Sequence, residues 1–390
     1  MKVAVFGAGA FGGWTALELA RRGARVTLFD AWGPGNTRAS SGGETRVIRA
    51  TYGSHAVYTD MALEALDRWR AYEARWQQTF FRQTGALWMF GPPNDGAFGR
   101  ASAEALSARG ARIETLSAAD AARKYPQIDF NGIAGAIFEP DAGYLLARRA
   151  CEHVATCLAA AGGQYRLGAA AAPVHLDPPR SGLPRAIPLI DGQQVEADCF
   201  VFACGPWLGT LFPDVVGDLI VPTRQEVYYF GPPAGDARFG DEQLPVWVDF
   251  RQRLMYGIPG NANRGFKVAD DTPGAVFDPT SGSRDPDERG IGAARRFVAE
   301  RFPALAKAPL TGTEVCQYES TPDSHFIVDR HPAAADVWIA GGGSGHGFKM
   351  GPVIGDMIAS CVREDAAPDP RFALRRFASP PPGGWQQKWS

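Results

Sequence analysis

At the start of the chain, "KVAVF" (Lys2 to Phe6) is a short apolar run, followed by the glycine-rich turn "GAGAFGG". Apolar residues then recur at helical spacing through "WTALELARRG", and "ARVTLFD" returns to a strand pattern that ends on Asp30. This order predicts one βαβ unit. A second strand, glycine turn and helix unit is predicted near the C-terminus, where "VWIAGGG" leads into "FKMGPVIGDMIASCV". Asp285 followed by Pro286 predicts an N-cap and first-turn proline for a helix through "DERGIGAARRFVAERF", which stops before Pro303. Ser41-x-x-Glu44 has the form of a capping box, and a helical turn after it would bring Arg46 and Arg49 onto one face. Proline- and glycine-rich breaks at "GPPND", "LDPPRSGLPR", "FGPPAGD" and "FDPTSGSRDPDERG" read as surface loops, and the tail "SPPPGGWQQKWS" has too few periodic positions to assign.

Composition narrows the class. With 390 residues the chain is long enough for two or three domains. It is 45% hydrophobic and 21% charged, with a formal net charge of -2, so nothing favours nucleic acid, a membrane surface or disorder. A small-molecule partner is expected. The six cysteines show neither a disulfide framework nor zinc-ligand spacing and read as reduced thiols. The strand pattern begins at once, without a signal-peptide profile, and no apolar run is long enough to span a bilayer, so a cytoplasmic location is expected.

Gly7-x-Gly9-x-x-Gly12 lies between a strand and a helix, and Asp30 closes the next strand. The first glycine permits the tight turn, the second lets a pyrophosphate approach the backbone, and the third lets helix pack on strand. Asp30 is the expected partner of ribose hydroxyls. This fingerprint leaves NAD and FAD both open. Cys316 in "TGTEVCQYESTPDSHFIVD" sits among acids, amides and hydroxyls, whereas Cys204 in "DCFVFACGPW" ends an apolar run and reads as a small hydrophobe. A polar loop around Cys316 would leave its sulfur reachable and able to form thiolate.

The segments "GAGAFG", "GETRVIRATYG", "MYGIPGNANRGFK", "CQYESTPDSHFIVD" and "GGSGHGFKMGP" occur in order along nearly the whole chain. In them the sequence resembles the monomeric sarcosine oxidase and N-methyltryptophan oxidase branch of the flavin-dependent D-amino-acid-oxidase superfamily. The resemblance implies an α/β fold: a Rossmann-like FAD domain of glutathione-reductase type from residues 1-82, 145-215 and 320-390, and an α+β substrate domain from 83-144 and 216-319 with a mixed sheet over the flavin. It implies FAD bonded covalently through Cys316, with Tyr318, Thr321, Pro322 and Asp323 completing the cysteine motif. Arg49 and Lys349 would grip a substrate carboxylate. Lys267 would activate O2, Tyr256 and Tyr318 would border the substrate, and His346 would stand behind flavin or substrate without transferring a proton. Gly345 and Gly347 lie in a turn whose amides would face the flavin pyrimidine edge, beside the charge of Lys349. Ser41, Thr45, Arg46 and Val174 complete the implied cofactor contacts.

Two positions depart from the family. Asp271 stands where sarcosine oxidases place a histidine, which would favour a substrate with a second cationic group or simply point to water. Gly343 replaces a phenylalanine, and the lost bulk would enlarge the cavity. The expected reaction is oxidation of the C–N bond of a secondary or N-methylated amino acid, by a monomer or weak homo-oligomer, with O2 reduced to H2O2. A dehydrogenase with a non-oxygen acceptor, an NAD-dependent oxidoreductase and a dinucleotide-binding sensor are the rivals.

Overall fold

The computed structural model describes residues 1–94, 96–174, 176, 185–364 and 366–379. Most of the loop expected at "LDPPRSGLPR", the last residue of "GPPND" and nearly all of the tail lie outside the described residues.

A six-stranded sheet forms the first layer, in the order Ile327–His331, Ala334–Gly341, Cys199–Phe202, Lys2–Phe6, Arg25–Asp30, Gln164–Leu167. Its neighbours are parallel except for the first pair. Both faces are covered, which is why its central strands read as continuous apolar runs. Val3 and Val5 join a core with Trp14, Leu17, Trp69, Val154 and Ile354 from the helices Ala10–Arg21, Ala56–Trp76, Ala147–Ala160 and Gly351–Glu364. Ala4 and Phe6 point the other way, to a core with Phe29, Phe200, Phe202 and Phe212. The Phe6 ring stacks on Phe29 and Phe202 at 5.0 and 4.8 Å.

The second layer is an eight-stranded sheet ordered Leu310–Ser320, Val221–Phe230, Phe266–Asp270, Leu254–Ile258, Val246–Phe250, Ala86–Phe90, Gly135–Glu139, Glu114–Ser117. All pairs are antiparallel except Val246–Phe250 with Ala86–Phe90. Strand alternation sorts its residues. Phe266, Val268 and Trp247 pack with Val298 of the helix Glu288–Arg301 and with Phe302, while Lys267, Val248 and Trp88 line the cavity between the layers. A small antiparallel sheet, Thr45–Ile48, Gly143–Leu146 and Phe81–Arg82, packs on this second layer through Val47, Tyr144, Val246 and Ile258.

Three local expectations are corrected. The helical turn after Ser41 is absent: Thr45–Ile48 is a strand. Its β-branched residues suit a pleat, and both halves of the capping box are used elsewhere. Ser41 Oγ accepts the Ala10 amide at 2.9 Å, and Glu44 pairs with Arg148 and Arg264, each at 3.1 Å. Cys316 lies on the long edge strand Leu310–Ser320 rather than in a loop, opposite Gln225. The cap of the helix Glu288–Arg301 is Asp287, which accepts the Arg289 amide at 3.1 Å, whereas the Asp285 carboxylate receives the Ser283 hydroxyl.

Candidate active site

A cavity of about 420 Å³ runs between the two large sheets. At one end it meets the N-terminal turn, lined by Gly7, Gly9, Phe29, Asp30, Trp32 and Ala169 to Ala171. Gly7 has φ +99°, and a Cβ there would lie 2.3 Å from Ala203 O; a Cβ on Gly12 would lie 1.9 Å from Gly7 O. Both positions therefore require glycine. Asp30 braces the turn, since its Oδ2 accepts the Ala8 amide at 2.7 Å and its Oδ1 the Trp32 and Gly33 amides at 2.9 and 2.7 Å.

At the other end two buried cations meet around one tyrosine. The Arg49 guanidinium lies 4.5 Å from the Tyr52 ring centroid and 4.8 Å from that of Trp88, and donates to Thr51 O. Lys349 Nζ donates to Tyr52 Oη at 2.9 Å and to His346 O at 2.8 Å. His346 Nε2 faces Ser324 O at 3.1 Å, an acceptor only, so this nitrogen carries the proton. Its Nδ1 then accepts from Tyr52 Oη at 3.3 Å. The ring thus orients Tyr52 and, through it, Lys349. Burial lowers the pKa of Arg49 and raises that of Tyr52. From the adjacent sheet Glu139 receives the Ala50 amide and the Thr51 hydroxyl at 2.7 and 2.6 Å, fixing the segment that carries Arg49. Burial raises its pKa against the opposing pull of those bonds.

The wall also carries Arg46, Lys267, Tyr256, Tyr318 and Asp271. Lys267 is 2% exposed, and its Nζ donates to Thr45 O at 3.0 Å. Burial, then the neighbouring Arg46 charge, bring its pKa down to about 7. Arg46 donates to Ser40 O at 2.8 Å and Thr45 O at 2.9 Å, with Nη2 3.4 Å from Cys316 Sγ. Burial opposes the Arg46 charge, but Cys316, Tyr256 and Glu314 outweigh it and raise its pKa. Tyr318 Oη donates to Asp271 Oδ1 at 2.8 Å. Burial, then Asp271, raise the pKa of Tyr256 to about 12, and the same two causes raise that of Tyr318 well above the usual tyrosine range.

The cavity wall therefore gathers Gly7, Gly9, Asp30, Ser41, Thr45, Arg46, Arg49, Tyr256, Lys267, Tyr318, Gly345, His346, Gly347 and Lys349 of the residues expected from sequence. Gly12 lies beneath the turn. Val174 belongs to the phenylalanine-rich core, and its amide donates to Leu211 O at 2.9 Å. Cys316 stands behind the wall, beside the Arg46 guanidinium. Cys204, read as core, also reaches the wall. In the glycine-rich turn the Ser344, His346 and Gly347 amides are spent internally, on Glu319 O and Gly343 O.

The space expected from Gly343 is filled. A Cβ on Gly343 would lie 2.7 Å from Glu319 Oε1, so the missing side chain is exchanged for a carboxyl group. Ser40 donates to Glu319, and burial nonetheless lifts the pKa of Glu319 to about 7. Glu319 was visible only as an unassigned position inside the cysteine motif. Glu139 carried no signal, because nothing local distinguishes a glutamate at a strand end. Among the described residues no cluster of His, Cys, Asp and Glu could hold a metal ion, and no helix is long and apolar enough to cross a membrane.

The residues present fit FAD. Gly7 and Gly9 present bare backbone to the cavity for a phosphate linkage, Phe29, Trp32 and Ala169 to Ala171 offer apolar contacts, and Arg46, Arg49, Lys267 and Lys349 offset negative charge.

Comparison with known proteins agrees with this geometry. The family model described as DAO, FAD dependent oxidoreductase, matches residues 2–361. The chain is 30% identical to monomeric sarcosine oxidase of Streptomyces avermitilis, covering 97% of this chain and 98% of that protein. It is 25% identical to N-methyl-L-tryptophan oxidase of Salmonella arizonae, with 96% of each covered. Among solved structures, L-proline dehydrogenase from P. horikoshii shares the fold at a TM-score of 0.83 and 20% identity, with 99% of each chain covered. A βαβ nucleotide turn, a cavity between it and a second sheet, and a family match over residues 2–361 lead to one assignment: the chain belongs to the DAO family of FAD-dependent oxidoreductases.

Proposed function

We propose that this chain is an oxidase of a secondary or N-methylated amino acid, yielding an imine that water hydrolyses and H2O2 from O2. The observation that carries this reading is the pairing of Arg49 and Lys349 around Tyr52 in a cavity that begins at the dinucleotide turn. A guanidinium beside a point-charge ammonium suits a carboxylate. FAD, when bound, would supply the redox chemistry, accepting a hydride equivalent from the carbon beside the nitrogen while the N–H proton goes to solvent, and giving two electrons to O2, which with two protons becomes H2O2. Arg49 and Lys349 anchor the carboxylate and so orient the amine, while Trp88 and Val248 exclude water. The ammonium of Lys267 stabilises the negative charge that develops when O2 takes its first electron, which favours O2 over a non-oxygen acceptor.

The same reading assigns Cys316 as the covalent flavin attachment, residues 1-82, 145-215 and 320-390 as the FAD domain, and 83-144 and 216-319 as the substrate domain. It also implies a cytoplasmic monomer or weak homo-oligomer. Support for the attachment is the guanidinium 3.4 Å from the sulfur. Protein precipitated in acid is expected to stay yellow, with the flavin peptide mapping to Cys316; flavin released to the supernatant would remove the assignment. The activity is tested by a peroxide-coupled screen of N-methyl amino acids, cyclic imino acids and diamino acids. Peroxide formed from simple amines alone would overturn it.

A further inference from the structure

We infer that Asp271 selects substrates carrying a second, non-reacting positive charge, such as a diamino acid methylated on the α-nitrogen. This rests on the amino-acid oxidase reading above. The cavity wall that holds Arg49 and Lys349 also contains the carboxylate of Asp271, just past the end of the strand Phe266–Asp270. Its position is set: the Asp271 amide donates to Leu254 O at 2.9 Å, and Tyr318 Oη donates to its Oδ1 at 2.8 Å. Tyr318, whose pKa burial and Asp271 raise well above the usual tyrosine range, keeps its proton and so remains a donor.

The wall therefore has opposite charges at defined places. Asp271 acts on Arg49, opposing the burial that lowers the Arg49 pKa; once a bound carboxylate takes over Arg49 and Lys349, a positive group on the substrate answers Asp271. That positive group is not the reacting nitrogen, which must lose its proton before its C–N bond can be oxidised. A fixed carboxylate holding an ammonium would oppose that loss. The cation is therefore carried elsewhere on the substrate. The same cavity is also lined by Trp88, Val248 and Leu254, an apolar surface for the methylene stem that joins the two ends of such a ligand. Asp271 is half-buried, so a charge-assisted contact here is less screened by solvent and salt than a surface pair.

The test compares a matched pair, Nα-methylornithine and Nα-methylnorleucine, which differ in the terminal ammonium and methyl group, each supplied as both enantiomers. In the holoenzyme, kcat/KM is expected to favour the ornithine derivative by about ten-fold or more, which corresponds to about 1.4 kcal/mol. Asp271→Asn is expected to bring the ratio close to one, and Asp271→Glu to keep a preference. No preference in the unmodified enzyme, or an equal loss on both substrates in Asp271→Asn, would overturn the inference. The equal loss would mean that Asp271 serves only to support Arg49. If neither amino acid bleaches the flavin while amines lacking a carboxylate do, the amino-acid reading itself falls, a result distinct from a lost ratio.

Discussion

The two ends of the cavity are built by different means. The nucleotide end is local: Gly7, Gly9, Gly12 and Asp30 lie in one βαβ unit, and main-chain geometry does most of the work, with Asp30 accepting three amides. The substrate end is assembled from afar. Arg49, Trp88, Glu139, Lys267 and Lys349 come from separate segments and are held by side-chain bonds such as Tyr52 to Lys349 and Glu139 to Thr51. Damage to the first region is expected to remove the cofactor; damage to the second should leave a yellow protein with altered kinetics.

The sharpest break in this comparison is at Gly12. Gly12→Ala drives a Cβ to 1.9 Å from Gly7 O, and the purified protein is expected to hold no flavin by absorbance. Gly13→Ala is the control, since its Cβ would find Val154 at 3.4 Å, and flavin should be retained. At the substrate end, Arg49→Gln and Lys349→Gln are each expected to weaken carboxylate binding by roughly ten- to hundred-fold, the equivalent of about 1.5 to 3 kcal/mol for a charge-assisted hydrogen bond. Flavin-reduction titrations check this with FAD still bound, and amines lacking a carboxylate should be hardly affected.

Lys267→Met is expected to slow flavin reoxidation far more than reduction in stopped-flow half-reactions. With its pKa lowered to about 7, the cation is fully present below that value and is lost as pH rises through it. An anionic group held beside it would move the midpoint upward. The reoxidation rate should therefore fall with rising pH around or above 7, and Lys267→Met should lose that dependence. Glu139→Ala leaves the Ala50 amide and Thr51 hydroxyl without their acceptor and should lower stability by about 1 to 3 kcal/mol, read by denaturant unfolding.

A purely pH-dependent effect is expected at Glu319. Its pKa rises from 4.5 to about 7 on burial, so between those values the native state holds more proton than the unfolded chain. Stability then falls as pH rises across that window. Glu319→Gln should flatten this dependence in thermal melts of the holoenzyme.

This contrast also explains what the sequence made legible. The βαβ turn could be read because strand, glycines, helix and acid are consecutive and each local preference agrees with the fold. The family motifs brought Arg49, Lys267, His346 and Lys349 to one cavity wall. The capping box misled because Ser41 and Glu44 answer partners far along the chain, Ala10, Arg148 and Arg264. The strand pairing of Cys316 and the filling of the Gly343 space by Glu319 were hidden for the same reason, since both depend on neighbours supplied only by tertiary packing.

Anaerobic mixing of the holoenzyme with N-methyl amino acids, followed by admission of air, tests the central claim most directly. The account predicts flavin bleaching that saturates with substrate, recovery of colour in air and one H2O2 per substrate consumed, with carboxylate-free amines far less effective. Bleaching by such amines as readily as by amino acids, or a bleached flavin that stays reduced in air until another acceptor is added, would contradict it.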